Sequence, residues 1–426
     1  MAKEQLSFLI IGAGLGGLAA AIGLTRAGHK VTVLEQAPQI GEIGAGIQIP
    51  PNSSRILTQW GLRDKFLKYS ILPEDLNLRS YHDGTILSTQ ALNTYLEDTY
   101  GFPYWHIHRA DFHKVLYEAT IELGVPMKLG ERVEEADFEN NAVITSKGNR
   151  YTADVIIGCD GVRSKCRSLM GSLGEVVNTG DLAYRMLIHS SKLKGNSDVE
   201  FLLKPNLNFW MGPHMHCVVY LLHDGEQCNV VVLAPDDLPD DVNVQPASVE
   251  ELRNLFKDWD PRFQTLISLV DSTSKWRLQN FNELPNWVHP TANFALLGDA
   301  CHATLPYLAQ GAAQAVEDAA VLSSLFEHVE CRGQVHDLLD IYEKLRKSRT
   351  TAVVQNSTDL GQNVFHLVDG PRQQERDRIL TETAPHQGYP NKFADPVFQK
   401  FLYGYNAFEE AENAWRDYKK VETQRL

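Results

Sequence analysis

Apolar positions in the first part of the chain follow two different spacings. Residues 6–11 form a short apolar run that ends at a glycine, as is typical of a buried parallel strand, and residues 30–34 carry valine at alternate positions. Between them, small and apolar residues at 15–27 recur with helical spacing until Gly28. The pattern predicts a strand, helix, strand unit in which a right-handed crossover makes the two strands parallel.

Later segments extend this mixed pattern. Apolar side chains at i, i+3, i+4 and i+7 predict an amphipathic helix at 110–123 that ends at Gly124. Further strands are predicted at 143–145, 154–157 and 294–297. The predicted fold class is therefore α/β.

A second kind of strand lies in the middle of the chain. The runs 217–222 and 229–234 are separated by a turn that contains Asp224 and Gly225, which predicts an antiparallel hairpin. At 426 residues the chain is too long for one ordinary core. We therefore expect this hairpin to belong to a second, β-rich lobe.

Composition and charge disfavour several classes of protein. The chain has 40 basic and 54 acidic residues, and its net charge of -14 disfavours binding to nucleic acid or to an anionic membrane. The six cysteines form no CxxC pair and no spacing typical of a zinc site, so no metal is expected. Lacking a secretory signal and any apolar run of about 18 residues, the chain is expected to be soluble and cytoplasmic, as a monomer or homodimer, without a transmembrane segment.

The strongest motif lies at the first strand-to-helix turn. Gly12, Gly14 and Gly17 form GxGxxG directly after the first predicted strand, and Glu35 ends the next one. Glycines there let the backbone approach a pyrophosphate at the positive end of the helix, and the carboxylate accepts hydrogen bonds from ribose hydroxyls. The motif predicts a dinucleotide site without choosing between NAD and FAD.

A second motif, near residue 300, favours FAD. It follows a predicted strand with Asp299, continues through a loop that contains Pro306, and ends at Gly311 and Ala312 before an apolar helix. Asp299 can hydrogen-bond ribityl hydroxyls, and the amides at the start of the helix can stabilise the electron-rich edge of a reduced flavin.

A third motif completes a set in a fixed order. Residues 160–167 (DGVRSKCR), which begin at Asp160, resemble the DGxxSxxR motif of the FAD-dependent aromatic hydroxylases, the class A flavoprotein monooxygenases, and the stretch near residue 300 resembles their GD motif. Residues 44–52 (GAGIQIPPN) and 104–112 (YWHIHRADF) look most like salicylate hydroxylase and related fungal secondary-metabolite monooxygenases.

This resemblance implies a fold and a cofactor. The fold is a GxGxxG Rossmann-like FAD domain of the p-hydroxybenzoate hydroxylase type, with a β-rich substrate lobe and C-terminal helices, and FAD is bound noncovalently. Glu35 is then expected on the adenosine ribose and Arg109 near the FAD phosphates or the ribityl chain. The remaining expected cofactor contacts are Gly12, Gly14, Gly17, Gly46, Asp160, Asp299, Gly311 and Ala312.

In this arrangement the FAD domain is discontinuous along the chain. It is expected to comprise residues 1–75, 103–175 and 278–360, with the substrate-binding lobe at 76–102 and 176–277 and a helical region at 361–426. The residues after 360 are too few for the thioredoxin-like extra domain that phenol hydroxylases carry.

The resemblance also implies the chemistry. Reduced by NADPH or NADH, the flavin reacts with O2 to give a hydroperoxide, which transfers one oxygen atom to a small aromatic substrate. The protein must then bind and orient the substrate, remove a phenolic proton and exclude water.

Four residues are expected to do this work. Arg185 can hold a phenolate or carboxylate, and His216 and Tyr220, four residues apart on a predicted strand, face the same side of it. Pro306 is expected against the flavin. His214 takes the place of His216 if the hairpin register differs by two, and both His216 and Tyr220 could instead be core residues.

Several alternatives stay open at this stage. The motifs do not separate plain hydroxylation of a phenolic or heteroaromatic substrate from decarboxylative hydroxylation, dearomatisation or epoxidation. A reductase or oxidase of the same fold and a noncatalytic flavoprotein are further alternatives. The presence of Arg185, Asp299 and Pro306 argues against the last of these.

Overall fold

The structure, a computed structural model, describes residues 4–41, 44–171 and 174–425. Its strands are β1 Ser7–Ile11, β2 Lys30–Glu35, β3 Gly46–Ile49, β4 Asp75–Ser80, β5 Ile86–Ala91, β6 Trp105–His108, β7 Met127–Leu129, β8 Val133–Asp137, β9 Ala142–Thr145, β10 Arg150–Thr152, β11 Val155–Gly158, β12 Val177–His189, β13 Leu207–Gly212, β14 Met215–Leu222, β15 Gln227–Pro235, β16 Val244–Ala247, β17 Thr273–Asn280 and β18 Phe294–Leu296.

The α-helices connect and flank these strands. They are α1 Leu15–Arg26, α2 Pro51–Gln59, α3 Arg63–Leu67, α4 Asn93–Tyr100, α5 Arg109–Glu122, α6 Lys165–Leu169, α7 Val249–Leu255, α8 Pro261–Ser268, α9 Asp299–His302, α10 Gly311–Phe326, α11 Val335–Leu360, α12 Pro371–Glu382, α13 Pro396–Tyr403 and α14 Ala407–Arg425. A π-helical turn, Gly361–Phe365, follows α11 directly. None of the helices within the described ranges is long and apolar enough to cross a membrane.

A five-stranded parallel sheet in the order β18-β11-β1-β2-β7 carries the sequence motifs. β1 pairs in parallel with β2 on one side and β11 on the other, which confirms the predicted strand, helix, strand unit. Each motif follows the carboxyl end of one of these strands: β1, β11 or β18. Open parallel sheets bind ligands at this edge, so the topology brings the three motifs together.

An eight-stranded sheet forms a second layer, in the order β16-β17-β12-β15-β14-β13-β4-β5. β14 and β15 pair antiparallel, with His216 opposite Leu233, so the predicted hairpin is confirmed. Its turn is a short 3-10 segment, His223–Gly225. Successive side chains along β12, β14 and β15 point to opposite faces of this sheet. One of these faces is turned toward the edge of the parallel sheet that carries the motifs.

The division of the chain into lobes stays a prediction. The eight-stranded sheet takes its strands from residues 75–91 and 177–280, so the boundary predicted at 277 falls inside β17. The helix predicted at 110–123 is α5, which begins one residue earlier, at Arg109. That shift places Arg109 at the first position of the helix.

Candidate active site

Two cavities lie beside the motif edge of the parallel sheet, and Arg109 lines both of them. The first, of about 540 Å³, has Gly12, Gly14, Glu35 and Asp160 on its wall. The second, of about 460 Å³, lies between the eight-stranded sheet and the start of α10. A long ligand with two different halves can therefore extend from one cavity into the other past Arg109.

The three glycines of the first motif differ in what they do. Gly12 has a φ of +105°, and a Cβ there would lie 2.5 Å from the carbonyl oxygen of Cys159. A Cβ on Gly17 would lie 2.0 Å from the carbonyl oxygen of Gly12, so the backbone itself requires both glycines. Among the described residues, a Cβ on Gly14 would have no neighbour within 4 Å, and none of their side chains caps α1. This open, uncapped helix start fits the pyrophosphate of a dinucleotide.

Glu35 is held in place at the end of β2. Its two carboxylate oxygens accept hydrogen bonds from the backbone N–H groups of Ala13, at 2.8 Å, and Ala37, at 2.7 Å. Each oxygen of a carboxylate can accept more than one hydrogen bond. The group therefore remains able to accept bonds from ribose hydroxyls in the first cavity.

Asp160 lines the same cavity and organises its own motif. Its carboxylate accepts hydrogen bonds from the Ser164 hydroxyl, at 2.5 Å, and from the N–H of Cys166, at 2.9 Å. Arg167, the last residue of the motif, is buried and donates to the carbonyl oxygen of Ala300 at 2.9 Å. Arg167 thus links the third motif to the second. This role is structural and does not involve contact with a ligand.

The start of α10 forms one end of the second cavity. Gly311 and Ala312, its first two residues, line the cavity with Asp299 and Pro306. Within the part of the chain that the structure describes, a Cβ on Gly311 would have no neighbour within 4 Å, and no side chain caps the helix. Burial raises the pKa of Asp299, and neighbouring positive charge partly offsets the rise. A positive helix end beside a carboxylate fits the pyrimidine edge and the ribityl chain of a flavin.

Arg185 lies on β12 in the same cavity. Its guanidinium carbon is 5.0 Å from the ring centroid of Trp276, which also lines the cavity. Burial and the like charge of Arg109 lower the pKa of Arg185. In the part of the chain that the structure describes, Asp299 is the one acidic side chain on this cavity wall. The region around Arg185 therefore favours an anionic ligand.

β14 brings His216 and Tyr220 to the cavity together, with Val218 between them, as the two-residue period predicts. His214, the alternative to His216, lies in the turn before β14 with a φ of +63°. His216 is fully buried, and burial and the neighbouring His366 lower its pKa well below the ordinary value. The imidazole at this position is therefore neutral and can accept a hydrogen bond.

Tyr220 contacts strand β3, in which only Gly46 was assigned a role from the sequence, as a cofactor contact. Burial raises the pKa of Tyr220 well above its ordinary value, although the positive charge of Arg185 opposes the rise. Gln48 hydrogen-bonds Tyr220 and accepts a bond from the Tyr104 hydroxyl at 2.5 Å. Gly46, expected at the cofactor, lines the second cavity and leaves room for the tyrosine ring.

A buried charge network beneath the start of α10 was not found from the sequence. Glu317 accepts hydrogen bonds from Arg346 and Arg349, each at 2.7 Å, and Asp318 accepts one from Arg346 at 2.7 Å and contacts His302 at 2.5 Å. The network ties α10 to α11 and supports the loop of the second motif. One sequence signal could have indicated this network: two adjacent acidic residues inside an otherwise apolar helix. Such residues are buried with the helix, and a buried charge needs a partner of opposite charge.

His366 is a second residue that the sequence analysis missed. It follows the π-helical turn Gly361–Phe365, and its Nε2 lies 2.7 Å from Nδ1 of His216. No spacing pattern connects positions so far apart in the chain. The region after α11 therefore contributes to the second cavity's surroundings.

Comparisons with known proteins agree with this geometry. Residues 5–357 match a family model described as an FAD binding domain. The FAD-dependent monooxygenase OpS4 of Beauveria bassiana (strain ARSEF 2860) is 37% identical over 418 residues, which cover 97% of this chain and 98% of that protein. A 3-hydroxybenzoate 6-hydroxylase of Polaromonas naphthalenivorans (strain CJ2) is 32% identical over 407 residues, covering 94% and 96% respectively.

Solved structures share the fold. A salicylate hydroxylase in complex with its substrate superimposes with a TM-score of 0.81 at 23% identity, over 97% of this chain and 98% of that chain. The predicted α/β fold is thereby confirmed. The glycine cradle and the two uncapped helix starts fit FAD, the cofactor that the sequence predicted. The chain belongs to the family of FAD-binding proteins that includes the FAD-dependent monooxygenases, and its cofactor is FAD.

Proposed function

We propose that the protein uses O2 and NADPH or NADH to hydroxylate a small aromatic compound that carries a phenolic hydroxyl and an anionic group. One observation carries this proposal. Arg185, His216 and Tyr220 line the second cavity together with Asp299 and the first residues of α10, which would hold the flavin ring. Bound FAD, once reduced, supplies the oxygen activation, and the side chains of the cavity prepare the substrate.

Arg185 is the anion-binding residue in this proposal. Its positive charge is half-buried beside Arg109, and both the burial and the like charge disfavour the charged form. A carboxylate or phenolate that binds there stabilises the charged form. The indole of Trp276 holds the guanidinium from one side. An anion held by Arg185 keeps the aromatic ring inside the second cavity, beside His216 and Tyr220.

His216 and Tyr220 act on the phenolic oxygen. His216 is neutral because burial lowers its pKa, and its Nε2 has no hydrogen-bond partner among the described residues, so this atom can take the phenolic proton. Tyr220 stays protonated because burial raises its pKa, and it can donate a hydrogen bond to the oxygen that results. Loss of the proton makes the ring a stronger carbon nucleophile.

Much of the rest of the wall is apolar and disfavours water. Apolar side chains face the ring position from three strands and from β3: Ile47, Ala183, Val218, Val231 and Leu233. Water-free surroundings protect activated oxygen from wasteful release as hydrogen peroxide. Pro306, which has no N–H to donate, is the residue we assign to the flavin side of this wall.

The proposal is tested by incubating the FAD-loaded protein in air with NADPH or NADH and three probes: 3-hydroxybenzoate, salicylate and phenol. We expect a carboxylated probe to accelerate nucleotide oxidation and to gain one oxygen atom, detected by mass. Phenol, which lacks the carboxylate, should be a poorer substrate. Nucleotide oxidation that no aromatic compound stimulates, with no oxygenated product, would instead support a reductase or oxidase.

A matched pair of variants tests the role of Arg185. Arg185→Met should raise KM for the carboxylated probe by about 10- to 100-fold, because a charge-assisted contact is lost. KM for phenol should change little. Arg253→Met, at an exposed arginine on α7, is the control and should leave both values unchanged. Equal losses with both probes would contradict an anion-binding role.

A further inference from the structure

The contact between His216 and His366 connects the second cavity with the outer part of the protein. Nδ1 of His216 lies 2.7 Å from Nε2 of His366, so one hydrogen is shared between the two rings. His216 is fully buried and lines the cavity, whereas His366 is only half-buried. The two imidazoles therefore form a short path from the buried wall of the cavity toward solvent.

The position of His366 is fixed by its backbone. Its N–H donates to the carbonyl oxygen of Gly361 at 2.9 Å, which closes the π-helical turn, and its carbonyl oxygen accepts from the N–H of His214 at 3.1 Å. A Cβ on Gly361 would lie 2.5 Å from the Tyr307 ring, so the turn packs directly on that ring. Single π-helical turns are frequent at functional sites.

Neither ring is suited to keep a proton. Burial lowers the pKa of His216 well below its ordinary value and that of His366 to about 4. The groups that face the pair are His214, which also lowers the pKa of His366, and the Tyr307 ring, 5.3 Å from His216. The Tyr307 hydroxyl is directed to the carboxylate of Asp181. A proton that arrives at His216 therefore has His366 as its next acceptor.

We propose that His366 is a relay residue that carries to solvent the proton His216 removes from the phenolic substrate. The phenolic O–H bond breaks as its proton moves to Nε2 of His216. The proton on Nδ1 of His216 then moves to Nε2 of His366, and the proton on Nδ1 of His366 passes to water. No electrons are transferred, and reprotonation of the product by the reverse path restores both rings. This inference rests on the proposed hydroxylation.

The first test follows proton release after the oxidised holoenzyme is mixed with 3-hydroxybenzoate in weak buffer containing a pH indicator. Glutamine can donate a hydrogen bond to His216 but cannot pass a proton on, so His366→Gln should slow proton release by about 100-fold and leave binding of the probe nearly unchanged. Added imidazole should restore part of the rate. His386→Gln, at an exposed histidine, is the control and should behave like the parent.

The outcomes separate the relay from a merely structural role and from the proposed function. Proton release at the parent rate in His366→Gln overturns the relay, because the variant preserves the contact alone. A second measurement needs no aromatic probe: nitrogen-15 NMR of histidine-labelled holoenzyme should show one proton coupled to both rings, and its absence overturns the relay. Failure of the parent to hydroxylate any probe counts against the proposed function, while the NMR result still decides whether the shared proton exists.

Discussion

Gly46 and Tyr220 lie so close together that position 46 cannot carry a side chain without displacement of the tyrosine. A Cβ on Gly46 would lie 2.5 Å from the hydroxyl oxygen of Tyr220 and 2.5 Å from its ring edge. Strand β3 therefore packs directly on a residue that we assign to substrate activation. The glycine that resembles a cofactor contact in the sequence also shapes the substrate end of the cavity.

Replacing this glycine should harm the substrate site more than the cofactor site. In Gly46→Ala the tyrosine must move, so we expect kcat for the carboxylated probe to fall by about 10-fold or more, as when a catalytic group is misplaced. FAD content, read from the visible spectrum, should stay near stoichiometric. Gly333→Ala is the control, since a Cβ there would have one neighbour among the described residues, at 3.8 Å. Loss of FAD with an unchanged kcat of the loaded fraction would contradict this assignment.

Gly14 and Gly17 form a pair that separates cofactor binding from folding. Gly14→Ala adds a methyl group at the open helix start, so we expect weaker FAD binding with little change in the unfolding free energy of the apoprotein. Gly17→Ala forces a methyl group against the Gly12 carbonyl and should lower that free energy by about 1–3 kcal/mol. Urea unfolding of both apoproteins and titration with FAD measure the two effects. A stable Gly17→Ala apoprotein would contradict the packing role.

The buried charge network should respond strongly to loss of one partner. Arg346→Met leaves Glu317 and Asp318 without their shared cation in a fully buried site, at an expected cost of about 3–5 kcal/mol in unfolding free energy. The exposed Arg416, which pairs with Glu412 on α14, gives the matched control, because Arg416→Met should cost less than about 1 kcal/mol. Equal effects in urea unfolding would show that the buried network adds no special stability.

His106 makes the stability of the protein depend on pH. It is fully buried 4.5 Å from the Tyr220 ring, neither ring nitrogen has a partner within the described ranges, and burial lowers its pKa to about 3. Below about pH 6.5 this histidine is protonated in the unfolded chain but stays neutral in the folded protein. The free energy of unfolding therefore decreases as the pH falls. From pH 7 to pH 5 this histidine alone should cost about 2 kcal/mol.

The variant His106→Phe removes that contribution. Its loss of stability between pH 7 and pH 5, measured by urea unfolding, should be smaller than that of the parent by about 2 kcal/mol. His386→Gln, on the surface, should leave the parent's pH dependence unchanged. An unchanged slope in His106→Phe would show that His106 is protonated as readily in the folded protein as in the unfolded chain.

The sequence predicted the parts of the fold that local patterns specify. Strands β1, β11 and β18 stand within two residues of their predicted bounds, because short apolar runs next to glycines have few other structures available. The motif residues follow these strands directly, so their meeting at one edge comes from topology. For Arg185, His216 and Tyr220 the family resemblance and the strand period predicted one cavity, and the structure places all three there. Their roles remain predictions.

The missed features depend on contacts between distant segments. His366 meets His216 only because α11 ends in a π-helical turn, and no local spacing predicts that irregularity. The acidic pair Glu317 and Asp318 was visible inside an apolar helix, but its partners lie on another helix. Gln48 hydrogen-bonds Tyr220 from strand β3, which pairs with β6. Neither strand was predicted from the sequence.

The parallel sheet also sets the order in which the protein can mature during synthesis. β1 is made first, β11 lies between β1 and β18 in the sheet, and α10, whose first residues line the second cavity, follows β18 near residue 311. At about 5–20 residues per second the ribosome needs about 15 to 60 s to reach that point. Until β18 has been made, one edge of β11 has no strand to pair with, and an unpaired apolar strand edge favours aggregation of the nascent chain. The second cavity, where we propose that the flavin ring lies, can be completed only after α10 has begun to form.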